Sequence, residues 1–70
     1  RLEEHLRDWI DDLPERQREA LSLSRFEGLS HEEIAEVMEI SPPTVNNHIV
    51  RALKKLRRKV RSRHPDLQMS

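Results

Sequence analysis

Residues 28–59, GLSHEEIAEVMEISPPTVNNHIVRALKKLRRK, hold two helical apolar patterns with only a short, proline-marked break between them. Ser30 followed by Glu33 fits a capping box and starts the first helix. Ile34, Ala35, Val37 and Met38 give it an apolar side, and Ala35 is small where two helices must approach closely. Ser41 caps the next helix, with Pro42 at its first position. Val45, Ile49, Leu53, Leu56 and Val60 then step by 4, 4, 3 and 4 residues, so this helix runs to about residue 61. No strand pattern competes. A short helix, a tight turn and a longer helix with amides near its start and cations further along is the layout of a helix-turn-helix.

The preceding residues continue the helical pattern. Leu2, Leu6, Trp9, Ile10 and Leu13 predict an amphipathic helix over 2–12. Pro14 separates it from a helix over 15–27 with Ala20, Leu21, Leu23 and Ser24 turned inward. Gly28, the only glycine, sits where a helix end takes a left-handed residue. Trp9 and Phe26 belong in the core. His64-Pro65 stops the last helix. The expected architecture is all-α: a four-helix domain over residues 1–63 and a frayed tail over 64–70. Seventy residues allow one such domain with a modest core, because a chain this short buries only about 60% of its unfolded surface.

The formal net charge of zero conceals two opposed halves. Residues 1–40 carry five arginines against twelve carboxylates, a balance of −7; residues 41–70 carry eight Lys and Arg against Asp66 alone, a balance of +7. An anionic polymer meets only the second half favourably. At 100° per residue the face of the last helix opposite its apolar stripe holds Asn47, Arg51, Lys54 and Arg58, with Pro43, Val50 and Arg61 near them. Asn46 and Arg57 flank one side of the stripe, His48 and Lys55 the other. The outward face therefore starts neutral and becomes cationic. This suits a helix whose first turns meet base edges in a major groove and whose later cations follow the phosphates. Asn46 and Asn47 can pair with adenine, and Thr44 and Val50 can touch a thymine methyl or a phosphate. Arg51 can reach a guanine or a phosphate. Lys54, Lys55 and Arg58 supply sequence-independent affinity. The N–H groups near Ser30 and His31 offer a further phosphate position.

Other chemistries lack their residues. There is no cysteine, so disulfides and thiolate metal sites are excluded. His5, His31, His48 and His64 share no metal-ligand spacing. No nucleophile–base arrangement or glycine-rich phosphate loop is present, so neither an enzyme nor a cofactor is expected. No apolar run approaches a membrane span and no signal peptide is visible; a reduced, cytoplasmic setting is the expectation. Glu32, Glu33, Glu36 and Glu39 read as a solvated face. The start at Arg1 suggests a fragment of a longer protein.

The run LPERQREALSLSRFEGLSHEEIAEVMEISPPTVNNHIVRALKKLR, Leu13 to Arg57, resembles the C-terminal promoter-recognition domain, region 4, of bacterial sigma factors of the extracytoplasmic-function group. LPERQREAL, FEGLSHEEIAE and the stretch from Thr44 to Arg57 resemble that family's blocks in the right order. SPPTVNNHI looks most like the branch common in Bacteroides-type bacteria. The resemblance implies a four-helix domain that binds the −35 element of double-stranded promoter DNA. It implies docking on the β-subunit flap of RNA polymerase, and an anti-sigma factor as a further partner. It places base and phosphate contacts on Pro43, Thr44, Asn46, Asn47, Val50 and Arg51. It places an apolar partner surface on the early helices, drawn from Leu6, Trp9, Ile10, Leu13 and Phe26. The family's −10-binding and melting domain has no counterpart in these residues, so this fragment alone is not expected to initiate transcription. Two positions depart from the family. Glu39 stands where the turn usually has glycine, and Asn46 and Asn47 stand where many relatives carry cations.

Two other functions fit parts of the pattern. The effector domain of LuxR-type response regulators has a similar segment, but a separate short dimerisation helix follows its recognition helix, whereas Ala52 to Arg63 runs on here without a break. A protein-interaction module whose basic helix meets an acidic partner would show no DNA sequence preference.

Overall fold

The computed structural model describes residues 2–63. They form four α-helices and no strand: α1 (Leu2–Asp11), α2 (Glu15–Arg25), α3 (His31–Met38) and α4 (Pro42–Arg63). The expected tail over 64–70, with the His64-Pro65 stop, lies outside the described residues. α4 is 22 residues long, about 33 Å at 1.5 Å per residue. It spans most of the 38 Å long axis of the molecule, and α1, α2 and α3 all pack against it.

The core is the apolar stripe of α4 covered by the other three helices. Val45, Ile49, Ala52, Leu56 and Val60 are buried, together with Trp9, Ile10, Leu13, Ala20, Leu21, Ile34, Ala35 and Met38. The stripe passes through Ala52 instead of the expected Leu53. At 100° per residue Ala52 lies 20° from Val45, whereas Leu53 lies 80° away and is half-buried at the edge. Val37, expected on the apolar side of α3, is 57% exposed. It sits about 110° from the mean direction of Ile34, Ala35 and Met38, too far round a one-turn contact face. Phe26, expected in the core, is 60% exposed because α2 ends at Arg25 and the chain turns before its ring can reach the helix interface. Leu23 and Ser24 are half-buried.

Local chemistry sets each break. The α1 C-terminus tightens through the Leu13 N–H donating to the Ile10 carbonyl at 3.1 Å, and an Arg18 guanidinium N–H donates to the Asp11 carbonyl at 3.3 Å. Pro14, with φ −53° and ψ 145°, starts α2 without a side-chain cap. Gly28 takes φ 67°, which frees the chain to reverse while the Leu29 N–H returns to the Leu23 carbonyl at 3.1 Å. The capping box of α3 is complete: the Glu33 N–H donates to Ser30 Oγ at 3.1 Å and the Ser30 N–H to Glu33 Oε1 at 2.9 Å. Hydrogen bonds to the Glu33 carboxylate from the Ser30 backbone N–H first, and then from the Ser30 side chain, lower the Glu33 pKa. α3 ends on Glu39 at φ 58°, ψ 45°, the left-handed region. The Ile40 N–H then closes on the Ala35 carbonyl at 3.0 Å, as in a Schellman turn. A glutamate therefore holds the conformation that glycine adopts without strain.

Candidate nucleic-acid interface

α3, the Glu39–Ser41 turn and α4 form the helix-turn-helix, and its second helix presents the sequence-derived face. Ser41 caps α4 by accepting from the Thr44 N–H at 3.4 Å, and the Ser41 and Thr44 hydroxyls bond at 2.8 Å. Pro42 and Pro43 occupy the first two positions and have no N–H to give. With the third N–H already taken by Ser41, little remains of the usual anion-binding capacity of a helix start. What this end presents to solvent is therefore side chains.

Pro43, Asn46, Asn47, Val50 and Arg51 are exposed on the first three turns of α4, with Thr44 and His48 half-buried beside them. Thr44 is also held by Ser41, which limits its reach. Lys54, Lys55 and Arg58 are exposed further along. Among the described residues no hydrogen bond or ion pair engages the side chains of Arg51, Lys54, Lys55 or Arg58. Each is left to meet an external anion. Lys59 differs: its Nζ donates to Asp12 Oδ2 at 3.4 Å, across from the end of α1. Both side chains are well exposed, so this pair contributes little stability.

Arg51, Lys54, Lys55 and Arg58 also line a half-open concavity of about 270 Å³ together with Gln17 of α2. Gln17 had no place in the reading of the sequence. A glutamine in a polar stretch gives no burial signal, and its position became visible only once α2 was laid against α4.

The start of α3 does not offer Ser30 to a phosphate as expected. Its N–H is already bonded to the Glu33 carboxylate, which puts negative charge where an anion would have to come. Glu32, Glu36 and Glu39 are exposed, in keeping with a solvated face.

A second surface lies on the other flank of the α4 stripe. Leu6, Ile10, Leu21, Arg25, Phe26, Leu53 and Leu56 line an apolar concavity of about 370 Å³. Of the apolar set named for partner binding, Trp9, Ile10 and Leu13 are largely spent in the core, at 5–7% exposure, whereas Leu6 is half-buried and Phe26 stands out. Trp9 also stacks on His5 with ring centroids 5.9 Å apart. Among the described residues no helix is long and apolar enough to cross a membrane.

Comparison with known proteins matches residues 4–56 to the family described as Sigma-70, region 4. The ECF RNA polymerase sigma-E factor of Haemophilus influenzae is 41% identical over 59 residues, covering 84% of this chain and 31% of that protein. The RNA polymerase sigma-H factor of Pseudomonas aeruginosa is 47% identical over 51 residues, covering 73% of this chain and 26% of that protein. The ECF RNA polymerase sigma-E factor of Escherichia coli K12 is 43% identical over 51 residues, 73% of this chain and 27% of that protein. The chain thus spans less than a third of the length of these relatives.

Proposed function

The chain belongs to the sigma-70 region 4 family, and on that premise we propose that it is the −35-reading domain of an extracytoplasmic-function sigma factor, binding promoter DNA for transcription initiation. The first turns of α4 enter the major groove. Asn46, Asn47, Val50 and Arg51 meet base edges, Pro43, Thr44 and His48 lie against the groove wall, and Lys54, Lys55 and Arg58 follow the phosphates. The observation that carries this reading is the outward face of α4: exposed amides first, then exposed cations without partners among the described residues.

The domain occupies residues 1–63, with 64–70 as its tail, and works in the cytoplasm as a binding module with no catalytic step. Its protein partners are the β flap of RNA polymerase and an anti-sigma factor, and the exposed Phe26 with the neighbouring Leu6 is the apolar surface that suits them. The SPPTVNNHI segment supports membership of the Bacteroides-type branch.

A LuxR-type effector domain is not favoured. α4 runs unbroken for 22 residues to Arg63, with no break after the recognition segment. Selecting duplexes from a random pool and measuring the stoichiometry on the winner separates the two. One chain on an asymmetric site supports the sigma reading; two chains on a palindrome would overturn it. No winner above scrambled DNA at physiological salt would remove base readout altogether.

A further inference from the structure

Gln17 is the one polar side chain among the buried described residues, at 9% exposure, and it comes from the first turn of α2, outside the helix-turn-helix. Its Oε1 is sealed from solvent with no hydrogen-bond partner among the described residues. The same residue lines the concavity rimmed by Arg51, Lys54, Lys55 and Arg58. With the oxygen end of the carboxamide sealed, the NH₂ end is the one left to serve that concavity. All five lining side chains then present N–H donors, and four are cationic. No carboxylate lines the space or pairs with a rim cation among the described residues. Such a donor set, half open to solvent, is completed by an oxyanion.

We propose that a backbone phosphate of the bound duplex occupies this concavity. The DNA contact surface then extends from the helix-turn-helix onto α2, and Gln17 donates to the phosphate from Nε2. This rests on the DNA-binding reading above. Gln17 contributes geometry without charge: it fixes where along the cationic stripe a phosphate settles, and so the register of α4 in the groove.

Gln17→Leu tests it in the full chain, since leucine keeps the bulk and removes both the donor and the sealed oxygen. The preferred duplex and a scrambled duplex should each bind about 2- to 10-fold more weakly at fixed salt. The salt dependence of binding should not change, because a neutral donor displaces no counterion. The melting temperature should hold or rise. A melting temperature that falls together with the affinity would mark Gln17 as merely structural, and binding equal to the parent on both duplexes would overturn the phosphate site. Gln17→Met stands in if the leucine chain does not fold. The side-chain amide resonances of Gln17 give an independent readout, with Gln68 as the only other glutamine. They should move on titration with duplex DNA. Movement with inorganic pyrophosphate but not with duplex would keep the anion site and overturn the DNA reading; movement with neither would overturn the site.

Discussion

Replacing Glu39 with glycine should stabilise the domain at its recognition turn. Glu39 sits at φ 58°, ψ 45°, a region that costs an L-residue about 1–2 kcal/mol. Glycine escapes that cost, but its freer unfolded chain takes back about 0.4–1 kcal/mol. The Glu39 side chain is exposed, so no packing is lost. Its negative charge lies at the C-terminal end of α3, where the helix dipole disfavours an anion, so removal adds about 0.3 kcal/mol. The net expectation for Glu39→Gly is a gain of about 1 kcal/mol, near the middle of the span of roughly 0.3–1.9 kcal/mol that these terms allow. In a domain of this size about 1 kcal/mol raises the melting temperature by about 4–8 °C. Thermal unfolding followed by circular dichroism at pH 7 measures it. Glu39→Ala is the control, since it removes the charge but keeps the left-handed cost, and it should recover only the small electrostatic part. A glycine variant no more stable than the parent, or an alanine variant equal to it, would refute the assignment of strain to this residue.

The other turn predicts the opposite sign. Gly28→Ala meets no atom within 4 Å of the new Cβ, so its cost is the left-handed backbone alone, about 1 kcal/mol or a fall of about 4–8 °C in melting temperature. Glu33 has a lowered pKa in the folded state because of its bonds to Ser30. The capping contribution is therefore present above the ordinary glutamate range and is lost as pH falls through the folded value. Glu33→Gln cannot titrate, so between pH 6 and pH 3 its melting temperature should drop less than that of the parent. Lys54→Ala should weaken binding uniformly across DNA sequences and make the slope of log affinity against log salt shallower by about 1, as measured by fluorescence anisotropy.

The parts of the fold that local chemistry decides were legible in the sequence. Ser30 with Glu33, Ser41 with Pro42, and Gly28 each act within one turn of chain, and each does what its residue type implies. The sequence marked Glu39 as standing where the turn usually has glycine, and that its backbone is left-handed all the same is a finding of the structure. What escaped depends on how helices meet. Val37 and Leu53 are apolar residues at the margins of their stripes, and only the direction of a neighbouring helix decides whether a margin is covered. Phe26 was expected inside because large aromatic residues usually are, but α2 ends just before it. Gln17 is the converse case, a polar residue buried by the crossing of α2 and α4. The Ser30 N–H shows that one motif can exclude another: a complete capping box leaves that donor no room for an outside anion.

Within the site, the sequence named the face and its order of amides and cations, and the fold adds what limits each member. Thr44 is tied to Ser41, Pro42 and Pro43 offer no N–H, and the cations from Arg51 to Arg58 have no internal partner among the described residues. On the proposed reading, base discrimination is thereby concentrated on Asn46, Asn47, Val50 and Arg51.

Asn47→Ala on two duplexes tests that concentration most directly. Binding of the parent and the variant is measured at physiological salt on the selected preferred duplex and on a scrambled one. The preferred site should lose about 1–3 kcal/mol, a factor of about 5 to 150, while the scrambled duplex changes little. Equal losses on both duplexes, or no loss on either, would contradict base reading by this face of α4.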